Sequence, residues 1–291
     1  MTTASPARHA VIGNPIGHSR SPRIHTLFGQ QTGVAVRYEA LLAPLDGFEE
    51  TVRRFFAEGG QGANVTVPFK LQAYALAQAG LSARAREAGA VNTLWMQDGR
   101  LHGCNTDGVG LVQDLRRLGA ALQGAHVLLV GAGGAARGAL GPLAQAGCAA
   151  IHVVNRTEPR AHALLAEWRG DAGRARLSAG ALASAARPQG WDVVVNATAS
   201  GLADRAPELP AGLYRPGALA YDMMYGAQPT AFMRQAQAEG AARTADGLGM
   251  LVAQAAESFR IWHGVLPDTA AVLQAVRDDL AQEAGAAGAA R

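Results

Sequence analysis

The stretch His126-Val127-Leu128-Leu129-Val130-Gly131-Ala132-Gly133-Gly134-Ala135-Ala136, with Ile151-His152-Val153-Val154-Asn155-Arg156-Thr157 further on, decides the fold. An aliphatic run of strand length that stops at glycine reads as a buried strand. The glycines allow a tight turn and a close approach of phosphate to the N-terminus of the next helix, expected to about Ala146. Open N–H groups and the helix dipole favour anions there. A bare GxGxxA match is a weak signal. Placed after a strand, and before a helix that leads to a second strand, it is a strong one. Gly131, Ala132, Gly133, Gly134 and Ala135 are therefore cofactor-binding candidates. The tip of the second strand selects the cofactor. An acidic residue is usual there when ribose hydroxyls are read, but this chain has Asn155, Arg156 and Thr157, with Arg160 four residues after Arg156. Two guanidiniums and a hydroxyl suit a 2′-phosphate, so NADP is expected.

Toward the N-terminus, strands are expected at His9 to Ile12, at Val36 to Ala40 and into Asn64, with helices at Ser21 to Gln31 and Leu45 to Ala57. That alternation predicts a mostly parallel sheet. Loop residues 13–22 hold two prolines, two glycines and two serines. Ser21 reads as an N-cap with Pro22 at the first helical position. The Ser19 hydroxyl is open to a ligand or to a turn bond. In Asn64-Val65-Thr66-Val67-Pro68-Phe69-Lys70, Val65 and Val67 alternate with polar residues as a strand with one buried face, and Pro68 ends it. Lys70 then stands at a strand-to-helix junction, before a helix expected over Leu71 to Ala79. It is the single lysine in a chain with 26 Lys plus Arg. An ammonium can donate a proton where a guanidinium effectively cannot, so Lys70 is a candidate general acid or base.

Val91 to Met96 and Arg100 to Cys104 flank Asp98-Gly99, a type I′ hairpin signal. Asp107 reads as the cap of a helix at Val109 to Leu118. Past the nucleotide motif, strands are expected near Asp192 to Asn196, Leu219 to Asp222 and Ala241 to Thr244. The loops Ala197 to Gly201 and Met223 to Gly226 then lie at the carboxyl edge where ligands bind. Met223 and Met224 also suit core filling, the commoner use of methionine. Two helices follow, at Met250 to Gly264 and Asp268 to Glu283, with a frayed tail from Ala284. Gln254, among small apolar residues, either faces solvent or meets a ligand.

With 49% hydrophobic and 17% charged residues and a net charge of +3, the composition is that of a globular protein. Scattered arginines point away from nucleic acid, and no long apolar run or leader pattern points to a membrane or to export, so the cytoplasm is expected. Cys104 and Cys148 read as reduced thiols, and the histidines have no metal-ligand spacing, so no metal site is expected.

Taken together, GNPIGHSRSP (13–22), GANVTVPFK (62–70), GAVNTL (89–94), NTDGVG (105–110), GAGGAARG (131–138), NRT (155–157), NATASG (196–201), YDMMY (221–225) and ADGLGMLVAQAA (245–256) make the chain resemble the shikimate dehydrogenase family from Gly13 to about Leu280. The resemblance implies two α/β domains around a cleft. Residues 1–107 plus 247–291 would form the substrate-binding and catalytic domain, with a mostly parallel sheet, and 108–246 a Rossmann-like NADP-binding domain. It implies reversible NADPH-dependent reduction of 3-dehydroshikimate to shikimate, on the route to chorismate and the aromatic amino acids. Lys70 matches the catalytic lysine and Asp107 its partner. Ser19, Ser21 and Tyr225 match carboxylate-holding groups. Asn64, Thr66, Asn92 and Gln254 match groups around the ring hydroxyls, and Met223 and Gly247 stand on the cofactor side. A broader quinate/shikimate dehydrogenase and a non-catalytic NADP-binding sensor are the alternatives. A monomer or homodimer is expected.

Overall fold

The structure is a computed structural model that describes residues 6–198 and 204–289, with side chains to 286. The chain divides into two compact units, Met1–Thr106 with Val252–Asp278, and Asp107–Leu251 with Asp279–Arg291.

In the first unit, β1 (Ala7–Gly13), α1 (Ser21–Thr32), β2 (Val36–Leu42), α2 (Phe48–Ala57), β3 (Gly62–Val65), α3 (Lys70–Leu76), α4 (Ala83–Ala88), β4 (Thr93–Gln97) and β5 (Arg100–Cys104) follow in order. The five-stranded sheet runs β2-β1-β3-β4-β5. β1 is parallel to both β2 and β3, and the hairpin β4–β5 adds on antiparallel. Asp98 and Gly99 both take positive φ, 51° and 71°, as the type I′ turn requires.

Side chains alternate across these strands. Ala10 and Ile12 of β1, with Ala63 and Val65 of β3, pack against Phe48, Val52 and Phe55 of α2 and Ala73 of α3. Asn64, between Ala63 and Val65, belongs to the opposite face. α9 (Leu248–His263) packs there, with Trp262 Nε1 donating to Leu94 O at 3.2 Å. Gly62 is required under the indole, because a Cβ at that position would lie 2.5 Å from the Trp262 ring.

Local details differ from expectation. α1 starts at Ser21 with Arg20 as its N-cap and no side-chain cap bond, so Ser21 lies inside the helix and Pro22 is its second residue. Instead, the Ser19 hydroxyl accepts the Ser21 N–H at 3.3 Å. α2 begins at Phe48 rather than Leu45, because Pro44 to Gly47 close a turn in which Gly47 N donates to Pro44 O at 3.1 Å. Val67 is 56% exposed instead of pairing with Val65. β3 ends at Val65, a turn closes from Phe69 N to Thr66 O at 3.0 Å, and Phe69 takes the buried place by stacking on Phe48.

In the second unit, α5 (Asp107–Arg117), β6 (His126–Val130), α6 (Gly134–Gln145), β7 (Ala150–Val154), α7 (Glu158–Glu167), β8 (Arg176–Gly180), β9 (Trp191–Asn196), β10 (Tyr214–Asp222), α8 (Ala231–Ala238) and β11 (Arg243–Asp246) form a six-stranded sheet in the order β11-β10-β9-β6-β7-β8. All its pairings are parallel. Strand order reverses between β6 and β9, and ligands bind at the carboxyl ends beside such a switch point. Gly108 permits the crossing of α5 over α6, since a Cβ there would meet Gly138 O at 2.0 Å. β8 and α7 were not legible beforehand; β8 is an edge strand with only its last residue buried. α10 (Ala270–Ala289) continues through the tail expected to fray, in keeping with the helix propensity of its alanines. Among the described residues no helix is long and apolar enough to cross a membrane.

Beneath α9, the rings of His9, His25 and His263 cluster with Trp262, Phe28 and Phe259. Burial first, and then His263, pushes His9 down to about 4 from the usual 6.5. Burial lowers His25 and His263 as well. These rings are neutral in the native state, while the unfolded chain takes up protons once the pH falls below about 6.5. Stability is therefore complete above that pH and is lost on acidification. His9 alone accounts for about 2 kcal/mol between pH 7 and pH 5. Urea unfolding at the two pH values should show that loss, and His9→Phe should make it smaller; an equal loss in the variant would clear His9 of the effect.

Candidate active site

Parallel β1 and β3 release their carboxyl-end loops side by side. Asn14 N donates to Val67 O at 3.0 Å and Thr66 N to Ile12 O at 3.0 Å. A Cβ on Gly13 would lie 2.4 Å from Thr66 Cγ2, so the serine loop can lie on the lysine loop only with glycine there. Lys70, half-buried, opens α3, and its carbonyl accepts the Val91 N–H at 3.0 Å. That bond joins the lysine segment to Asn92.

Asn92 is the hub of a buried polar network. Its Oδ1 accepts the Thr106 N–H at 2.9 Å, and its Nδ2 donates to Thr106 Oγ1 at 2.9 Å and to Gln254 Oε1 at 3.2 Å. Asn64 Nδ2 reaches Asn92 O at 3.1 Å and Ser258 Oγ at 3.0 Å. Thr93 Oγ1 lies 2.8 Å from Ser258 Oγ. Asn64, Asn92, Thr93, Thr106, Gln254 and Ser258 are all under 8% exposed. The structure thus bonds Asn64 and Gln254 each directly to Asn92, and joins Thr66 and Lys70 to them through the backbone. Ser19 and Ser21 are linked to each other on the neighbouring loop. Gln254 faces inward, not to solvent. Thr106, Ser258 and Tyr38, whose hydroxyl donates to Asn64 Oδ1 at 2.7 Å, were not singled out from sequence. Ser258 follows Gln254 by one helical turn on α9, a spacing that could have revealed it.

Asp107 and Tyr225 fall in the second unit. Asp107 is buried as the first residue of α5 rather than a cap outside it, and Tyr225 is half-buried after β10. At the switch point, Gly131 adopts φ 112° and donates to Val154 O at 2.7 Å, and a Cβ on it would meet Ala197 O at 3.1 Å. Gly133 is the N-cap of α6 and provides no side-chain cap, and a Cβ on it would meet nothing within 4 Å. Ala132, Gly134 and Ala135 are half-buried around it, and Ala136 packs into the core. An open, uncapped helix N-terminus fits a pyrophosphate.

Beyond β7, Asn155 Nδ2 donates to Thr157 O at 2.9 Å and shapes the turn that leaves Arg156, Thr157 and Arg160 exposed. Neither guanidinium makes an ion pair among the described residues. A 2′-phosphate suits this donor set. On the other side of the switch point, buried Asp222 accepts from Asn196 Nδ2 at 3.1 Å, Met224 N at 3.1 Å and Thr230 Oγ1 at 2.6 Å. Burial raises its pKa, and these bonds offset part of the shift. Met223 N donates to Asn196 O at 2.9 Å, and Gly247 lies so close that a Cβ would sit 2.2 Å from Met223 O. Of the expected loop Ala197 to Gly201, Ala199, Ser200 and Gly201 lie outside the described residues.

Three family models match the chain: the shikimate dehydrogenase substrate binding domain over residues 11–94, shikimate / quinate 5-dehydrogenase over 114–203, and the shikimate 5′-dehydrogenase C-terminal domain over 247–277. A protein of Bordetella petrii named shikimate dehydrogenase (NADP(+)) is 67% identical over 283 residues, covering 96% of this chain and 99% of its own length. The chain belongs to the shikimate dehydrogenase family. Another member, from Bordetella avium, is 65% identical over 97% of this chain and 99% of its own length. The crystal structure of shikimate 5-dehydrogenase from Thermus thermophilus in complex with NADP(H) and shikimate superposes with a TM-score of 0.81 at 37% identity, covering 94% of this chain and 99% of that one.

Thr106→Val keeps the shape of the side chain but removes the oxygen that accepts from Asn92 Nδ2. One buried donor then loses a partner, and the free energy of unfolding should fall by about 1–3 kcal/mol in urea titration. No measurable loss would mean that water or a neighbour replaces Thr106 in the network.

Proposed function

We infer that the chain catalyses the reversible reduction of 3-dehydroshikimate to shikimate with NADPH, in the biosynthesis of chorismate and the aromatic amino acids. The observation that carries this reading is the buried network of Asn64, Asn92, Thr106 and Gln254, coupled through the Lys70 carbonyl to a proton-donating side chain. A polyhydroxylated ring acid needs many neutral hydrogen-bonding partners, and this chain invests its polar interior there. The Bordetella and Thermus relatives, named for NADP(H) and shikimate, support it.

In this reading residues 1–107 plus 247–291 bind substrate, and 108–246 bind NADP. The N-terminus of α6 with Gly131, Ala132, Gly133, Gly134 and Ala135 receives the pyrophosphate. Asn155, Arg156, Thr157 and Arg160 hold the 2′-phosphate, and Met223 and Gly247 stand by the nicotinamide. When bound, the cofactor supplies the hydride. Ser19, Ser21 and Tyr225 hold the substrate carboxylate, and Asn64, Thr66, Asn92 and Gln254 its ring hydroxyls. The carbonyl oxygen gains negative charge as it is reduced, and Lys70 Nζ stabilises that charge and donates the proton, with Asp107 as its partner. Such chemistry suits the cytoplasm, where Cys104 and Cys148 stay reduced. One matching family model is named for quinate as well as shikimate, so both acids belong in the assay.

Lys70→Arg retains a cation but cannot give up a proton. Followed by reduced-nicotinamide absorbance with shikimate and NADP, its kcat should fall about 10²–10⁴-fold while KM stays within severalfold. Wild-type rates in Lys70→Arg would remove the lysine from proton transfer. Replacing Arg156 and Arg160 together by alanine should lower kcat/KM for NADP by about 10²-fold and leave NAD unchanged. Equal losses with both cofactors would place the two arginines away from the 2′-phosphate.

A further inference from the structure

We propose that Tyr38, stacked on His25, is a positioning residue that takes one lone pair of the Asn64 amide oxygen and leaves that oxygen as a single aimed acceptor for a substrate hydroxyl. This rests on the substrate role assigned above to Asn64 and Gln254.

Backbone groups fix which way the amides face. The Asn92 carbonyl can only accept, so the end of Asn64 facing it at 3.1 Å is Nδ2, which also lies 3.3 Å from Thr93 Oγ1 and 3.0 Å from Ser258 Oγ. Three acceptors surround two N–H groups, so the donor capacity of Asn64 is spent inside the protein. Its oxygen accepts from the Tyr38 hydroxyl at 2.7 Å, and an amide oxygen has two lone pairs. Gln254 has the opposite polarity. The Thr106 N–H can only donate, so it identifies the near end of Asn92 as Oδ1 and the far end as Nδ2, which donates to Gln254 Oε1 at 3.2 Å. Gln254 thus gives its oxygen to the network and has donors at its other end. A hydroxyl, which both donates and accepts, satisfies both polarities. A carbonyl or a C–H cannot donate to Asn64.

The phenol is built to hold this place. Burial raises the Tyr38 pKa well above 10, so the hydroxyl remains a donor. The His25 ring lies parallel to it, with centroids 4.2 Å apart and planes 7° apart. Both nitrogens of His25 are buried without a bonded partner, with Asn64 near but outside hydrogen-bond geometry, so His25 contributes the face of its ring. His25 follows Ser21 by one turn on the buried side of α1.

Tyr38→Phe keeps the stack and removes only the oxygen. Steady-state kinetics with shikimate, and with analogues each lacking one ring hydroxyl, should show KM for shikimate raised about tenfold and kcat within about twofold. Discrimination against one of the analogues should weaken by about the same factor. A substitution that merely loosened the fold would lower Tm and leave that discrimination ratio where it was. Unchanged discrimination overturns the inference and spares the functional reading, whereas absence of shikimate turnover in the wild type overturns both. Should the variant not fold, the wild type decides by NMR of the assigned side-chain amides. Shikimate should shift the Gln254 NH₂ pair and leave the Asn64 pair in place, and a large Asn64 shift overturns the inference.

Discussion

A primary amide closed off from water must place two donors and two acceptor positions against partners of the right sense, or lose about 1–3 kcal/mol for each that fails. Asn92 meets that requirement in full and Asn64 meets it in all but one acceptor position, on the inner side of the first unit, and most of what surrounds them follows from it. The Asn92 carbonyl is fixed because Val65 N donates to it at 2.8 Å, so the amide network is an extension of the sheet ladder. Thr93 and Ser258 complete it from β4 and α9. Positions that would hold valine or leucine in an ordinary core hold polar groups, and their mutual satisfaction makes that tolerable.

The second unit solves a different problem, that of bringing backbone close to backbone at the carboxyl edge of its sheet. Its glycines act by what they omit. Gly131 lets β6 turn under Ala197, and Gly247 lets the chain press onto Met223. Asp222 ties the ends of β9 and β10 together through Asn196 and holds the start of α8 through Thr230, so the carboxyl edge carries a short hydrogen-bonded frame on one side of the strand reversal.

Much of this was legible in the sequence where a local signal sufficed. The aliphatic run to Val130, the glycines after it, the Asp98-Gly99 turn and the lone lysine each carry their meaning in a few adjacent residues. The misreadings arose where a distant partner decides. Val67 has the right spacing for a buried strand face, yet Phe69 takes that place because Phe48 offers a ring to stack on. Ser21 has the chemistry of a cap, but the helix begins one residue earlier than Pro22 suggests. Thr106, Ser258 and Tyr38 look unremarkable in one dimension, and only the fold brings them to the amides. Edge strand β8 has too little burial to leave a pattern.

The first unit has a consequence for synthesis, because the segment that covers the inner face of its sheet, Val252–Asp278, is encoded after the whole second sheet. As the chain leaves the ribosome, β1 to β5 can pair and α2 and α3 can cover the outer face. His9, His25, Tyr38 and Asn64 meanwhile wait without Phe259, Trp262 and Ser258. At usual elongation rates that interval is on the order of ten to thirty seconds. The buried amide network is thus closed only after the second sheet has been made, and truncation before residue 252 removes its lid while sparing every strand among the described residues.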